Sequence, residues 1–157
     1  MFEIDKSKLS NKIKFIVCEV IYDEIKDKIP NNWEVVNFEK SLHERSHKLR
    51  EKLQEEINNS QDFDVIVLGY GLCGRGTEGL VSQKSTLVIP RCEDCISVLL
   101  GSDEERKKQL AIEPGTYFLT RGYIGDSGVS SVNGIIISGF LELKDKLYRE
   151  VFIKPNN

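Results

Sequence analysis

The chain has 157 residues, the length of a single domain with one sizeable core. With 39% hydrophobic and 30% charged residues and a net charge of −3, it is neither disordered nor collagen-like, and it lacks the bulk positive charge of a nucleic-acid binder. Four cysteines do not make a disulfide-stapled miniprotein of this composition, so the four thiols and two histidines are the counts left to explain.

Residues 1–14 (MFEIDKSKLSNKIK) are charged and polar, unlike a secretory signal. No apolar run approaches the ~20 residues that cross a bilayer. The expected location is therefore cytoplasmic, with neither a membrane nor a nucleic acid as partner. In a reducing compartment, cysteines are more often thiols, metal ligands or buried small side chains than disulfides.

Residues 14–20 (KFIVCEV) form a short β-branched apolar run, as in a strand buried on both faces. Ile21, Ile25 and Ile29 then stand four apart, a helical stripe stopped by Pro30. Residues 33–38 (WEVVNF) read as a second strand. Residues 41–57 are the clearest helix, with Leu42, Leu49, Leu53 and Ile57 on one face. Ser41 with Glu44 three residues later predicts a capping box at its start. Residues 64–69 (DVIVLG) are a third strand, followed by a glycine-dense stretch to Gly79, and residues 86–90 (TLVIP) are a fourth. A helix within 92–100 ends at Gly101, and Ser102 with Glu105 opens another running to about Ile112. Residues 115–120 predict a fifth strand, 125–139 are rich in glycine and serine, and 140–152 read as a closing helix. This alternation predicts one α/β domain over residues 1–157, a Rossmann-like three-layer fold with a mostly parallel sheet of about four or five strands.

Ligands of an open parallel sheet bind beyond the carboxyl ends of its strands. Cys18 falls late in the first strand, His43 just after the second, Cys73 after the third, and Cys92 and Cys95 after the fourth. Each alone has an ordinary explanation: Cys18 as core filler, His43 as a solvated side chain. Their agreement on one sheet edge argues instead for a shared centre. Thiolates and imidazole suit an Fe–S cluster or zinc, whereas Mg²⁺ and Ca²⁺ want oxygen. Cys92-x-x-Cys95 has the spacing of a metal grip or a redox pair, so a metal-free thiol redox or thiol-transfer protein is the alternative, and a non-catalytic binding module a third. Gly69, Tyr70, Gly71 and Gly74 begin like a phosphate loop but miss G-x-G-x-x-G, and they suit close backbone approach to a small molecule. Arg91 would balance an anionic or thiolate-rich ligand, and Asp94 would tune a metal from behind its ligands. No residue stands out as a general base, which leaves open whether the chain is an enzyme.

The segments 16–20 (IVCEV), Leu42-His43, 67–74 (VLGYGLCG), 88–96 (VIPRCEDCI), 100–102 (LGS) and 114–120 (PGTYFLT), in this order, resemble domain-of-unknown-function family 1638. The resemblance covers about residues 14–123, with 124–157 expected to depart as a shortened extension. The family is found in anaerobic bacteria and methanogenic archaea, and it is associated with corrinoid-dependent methyl transfer. What the resemblance implies is an accessory role in that metabolism, with a corrinoid or a methyltransferase protein as partner. The anaerobic setting puts an Fe–S cluster ahead of zinc. The family's motif cysteines fall on Cys18, Cys73 and Cys95 and its motif histidine on His43, with Cys92 at a variable position as an extra ligand.

Overall fold

In a computed structural model, which describes residues 12–116, 118 and 120, four strands form one all-parallel sheet. Their chain order is β1 (Ile13–Cys18), β2 (Glu34–Phe38), β3 (Val65–Gly69) and β4 (Thr86–Val88), and their order in space is β2-β1-β3-β4. Helix α1 (Glu19–Ile25) follows β1, α2 (Ser46–Asn59) precedes β3, and α3 (Cys95–Leu100) and α4 (Asp103–Ile112) follow β4. The chain thus winds outward from β1 to β2, then turns back past β1 to reach β3. Such a reversal opens a crevice at the carboxyl ends of the two strands on either side of it. Val17 lies opposite Gly69 in the register, so Cys18 emerges directly beside the end of β3.

The apolar character of β1 and β3 is explained by burial on both faces. Phe15, Ile16, Val17, Ile66 and Leu68 are all buried, and Leu49, Leu53 and Ile57 of α2 are fully so. Each such side chain contributes about 1.5–3 kcal/mol relative to an exposed one. Lys14 is the exception in β1. Its side chain is only 7% exposed, and its ammonium meets Glu34 at 2.8 Å and Glu56 at 3.1 Å. Burial works against its charge, but the two carboxylates outweigh that and raise its pKa.

Several boundaries differ from the sequence reading. β1 ends at Cys18 because Glu19 begins α1, where a carboxylate in the first turn favours the helix dipole. α1 gives way to a 3₁₀ turn at Lys26–Lys28, and Ile29, held extended by Pro30, closes the segment. The capping box at Ser41 does not form. Residues Lys40–Glu44 make a 3₁₀ turn instead, the Ser41 hydroxyl donates to Glu39, and α2 starts only at Ser46. α3 starts at Cys95 because the Asp94 carboxylate accepts from the Ser97 N–H and caps it there. Ser102 does accept from the Glu105 N–H, as its spacing predicts. Thr116, Phe118 and Thr120 are not in a strand, and Tyr117 and Leu119, with the 125–139 stretch and the closing helix at 140–152, lie outside the described residues. Among the described residues no helix is long and apolar enough to cross a membrane.

Candidate metal centre

Three separate backbone devices bring cysteines to the crevice. Cys18 is the last residue of β1, wholly buried, and caps α1 in an extended conformation. Cys95 is the first residue of α3, placed by the Asp94 cap. Cys73 sits on a loop that runs beside residues 92–93, the Leu72 N–H donating to the Cys92 carbonyl at 2.7 Å and the Cys73 N–H to that of Glu93 at 2.9 Å. Gly71 permits that approach, since a Cβ there would lie 2.7 Å from the Asp94 backbone. Cys73, Gly74 and Arg75 are then three consecutive residues with φ of 47°, 62° and 71°. Left-handed backbone at two non-glycine residues costs on the order of 1–3 kcal/mol each. The surrounding contacts hold the turn: Thr77 Oγ1 donates to the Gly71 carbonyl and Arg50 to that of Arg75.

His43 enters from the 3₁₀ turn after β2. Its Nε2 lies 3.0 Å from Cys18 Sγ and 3.8 Å from Cys95 Sγ. Cys95 Sγ in turn is 3.4 Å from Cys73 Sγ. The donor atoms of Cys18, His43 and Cys95 all lie within 4.8 Å of one another, close enough to bind one metal ion. Tetrahedral coordination with Zn–S of about 2.3 Å and Zn–N of about 2.0 Å requires donor spacings of roughly 3.5–3.8 Å. Two of the observed spacings, 3.0 and 3.4 Å, fall below that range and the third, 3.8 Å, lies at its upper edge.

The charges of the group are set by its own members. The Cys18 thiol is lowered to about 5, first by a hydrogen bond from Cys95 and then by His43, against the opposing effect of burial. Cys73 is lowered to about 6 by the same neighbours. His43 is raised to about 10, chiefly by Cys18 and then by Cys73. Cys95 moves strongly upward, because the Cys18 and Cys73 sulfurs accept its hydrogen and burial disfavours another thiolate. Near neutral pH the metal-free group is therefore two thiolates, one imidazolium and one thiol. Binding an ion would displace the imidazolium and thiol protons.

Tyr70 backs the histidine, with the two rings stacked at 5.8 Å and 24°. Its side chain is fully buried, and its hydroxyl has no hydrogen-bond partner among the described residues. Burial and then the charges of Cys18, Cys95 and Cys73 push the phenol upward, so it remains a neutral donor.

The other sequence candidates fall outside this group. Cys92 is half-buried and absent from the Cys18–His43–Cys95 set, and burial, Asp103 and Asp94 raise its thiol to about 11. The sulfur in contact with Cys95 belongs to Cys73. Asp94 caps α3 and pairs with Arg106 at 3.2 Å. Arg91 is exposed in the loop after β4. Gly69 ends β3 against Val17 and Phe15, and Gly74 is exposed in the left-handed turn. The structural duty of Thr77 and Arg50 carries no signal in the sequence, because it is a bond from each to a distant backbone carbonyl.

Fold and donors together define an α/β protein with a Cys/His group close enough to hold a metal ion. The chain belongs to the family described as protein of unknown function (DUF1638), which matches residues 38–156. That match begins after Cys18 and includes the stretch after residue 123 that the motifs set apart. No curated protein and no solved structure matches the chain.

Proposed function

We propose that the chain binds a single thiolate-preferring metal ion, zinc in the first instance, through Cys18, His43, Cys95 and the adjacent Cys73. The observation that carries this reading is the convergence of the Cys18, His43 and Cys95 donor atoms within 4.8 Å. Three thiolates and one imidazole are an established zinc set. The compactness of the group favours a mononuclear ion over an Fe–S cluster, whose cysteines bind different irons and must stand farther apart. Corrinoid and methyltransferase partners rest on the resemblance, and nothing among the described residues adds to them. If the chain serves methyl transfer, a metal-bound thiolate would be its natural nucleophile.

A second reading follows from the 3.4 Å between Cys73 Sγ and Cys95 Sγ: a metal-free dithiol that oxidises reversibly. Its pair is Cys73/Cys95 rather than Cys92/Cys95. Anaerobic reconstitution of the reduced full chain separates the readings by elemental analysis and absorption. One zinc per chain, lost in Cys18→Ala, is expected. A protein that retains neither zinc nor iron after reconstitution overturns the metal reading, and visible cluster absorption with more than one iron restores the Fe–S assignment.

A further inference from the structure

Among the described residues the Tyr70 hydroxyl is buried with no hydrogen-bond partner, as are Ser97 Oγ and Arg106 Nε, and of these three it is the one whose ring stacks on His43. A phenylalanine would fill the same space without an unpaired donor. The ring is fixed against His43, and the hydroxyl makes no hydrogen bond to any of the described residues, the cysteines included. A neutral phenol beside an anionic centre offers one hydrogen, so what completes it must carry an acceptor atom. The second observation concerns Cys73. It lies 3.4 Å from Cys95 but outside the mutually close Cys18–His43–Cys95 set, on a turn of three consecutive left-handed residues. Of the four donors it is the one on strained backbone and the one outside that close set.

We propose that Cys73 is an exchangeable ligand, and that a small exogenous anion takes its place on the ion while accepting the Tyr70 hydrogen bond. This rests on the metal reading and deepens it, turning a closed structural site into an open one. The exchange balances simply. The anion forms a bond to the ion, the Cys73–metal bond breaks, and the departing thiolate takes one proton from solvent. The resulting Cys73 thiol remains within reach of the Cys95 sulfur. Cys18, His43 and Cys95 keep the ion throughout, a Cys₂His set of the kind that leaves one position for a ligand.

The experiment uses the full chain loaded with Co²⁺, whose sulfur-to-metal absorption scales with the number of bound thiolates, titrated with azide. The expected result is a fall of about one third in that absorption as azide displaces one of three thiolates. Tyr70→Phe should hold one cobalt but bind azide at least tenfold more weakly. Cys73→Ala should start at the lower absorption and bind azide more tightly than the unaltered chain. Three-thiolate absorption that azide cannot change overturns the proposal while leaving the metal reading intact. So does equal azide affinity in Tyr70→Phe. Failure of the unaltered chain to bind cobalt or zinc overturns the metal reading and this inference with it.

Discussion

The two ends of the sheet are built on opposite terms. At the amino ends of the strands, polar groups are matched. Lys14 lies between Glu34 and Glu56, Asp64 accepts from the Lys12 N–H at 2.8 Å, and Ser85 Oγ donates to the Phe63 carbonyl at 2.7 Å. Gln61 gathers the loop before β4, its Oε1 accepting from the Ser82 hydroxyl and the Gln83 and Lys84 N–H groups. At the carboxyl ends, Cys18, His43, Cys73 and Cys95 satisfy one another, the Tyr70 hydroxyl has no partner among the described residues, and the turn at Cys73 is strained. Buried polar groups ordinarily find partners, and exceptions gather where a ligand belongs. The matched end stabilises the sheet; the unmatched end marks where chemistry is expected.

Substitutions on each side should separate these roles. Cys18→Ala removes one of four donors and should weaken zinc binding by about 100-fold or more, given roughly 10–16 kcal/mol shared among four ligands. Competition with a chromophoric chelator would measure it. Lys14→Met, at the other end, should leave zinc affinity within about twofold. It should nonetheless destabilise the fold by about 1–2 kcal/mol in urea, a modest value because the Glu34 side chain is 59% exposed. Equal loss of zinc in both variants would erase the distinction.

The pH dependence of the metal-free protein sharpens it further. Cys18 and Cys73 are lowered from 9.0 to about 5 and about 6, so their contribution is complete above pH 9 and is lost as pH falls through those values. His43 is raised from 6.5 to about 10, so its contribution is complete below pH 6.5 and is lost as pH rises through 10. Between pH 6.5 and 9 two rising contributions oppose one falling one, and above 9 the upward-shifted Cys95 adds a second fall. The cluster's net contribution should therefore rise to a maximum near pH 9. Urea titrations of the unaltered chain and of Cys18→Ser at several pH values would check it, the variant showing the shallower rise. The smallest effect on fold stability is expected for Asp94→Ala. Loss of the α3 cap should cost about 1 kcal/mol and, by loosening the placement of Cys95, lower zinc affinity by roughly tenfold.

Much of the fold was legible because β1 and β3 are continuous apolar runs and α2 carries Leu49, Leu53 and Ile57 at helical spacing. The convergence of Cys18, His43, Cys73 and Cys95 followed from placing them after successive parallel strands. What misled was local spacing. Ser41 and Glu44 have the separation of a capping box, yet the 3₁₀ turn there takes their place and presents His43 to Cys18. Cys92 and Cys95 have the separation of a pair, yet the sulfur that meets Cys95 is that of Cys73, which arrives from another loop. In both cases a contact between distant segments outweighed a short motif, and such contacts leave no pattern in neighbouring residues.

The donors are also scattered widely along the chain: His43 stands 25 residues from Cys18 and 52 from Cys95, and Cys73 lies between them, 22 residues before Cys95. They meet only after the chain has doubled back past its first strand. An ion held there would close every one of those loops at once and so cross-link the whole winding order through a single point. A partly threaded chain would present one or two of the donors and hold the ion weakly. Metal retention would then report that the topology is complete, as a seal reports that every flap beneath it has been folded.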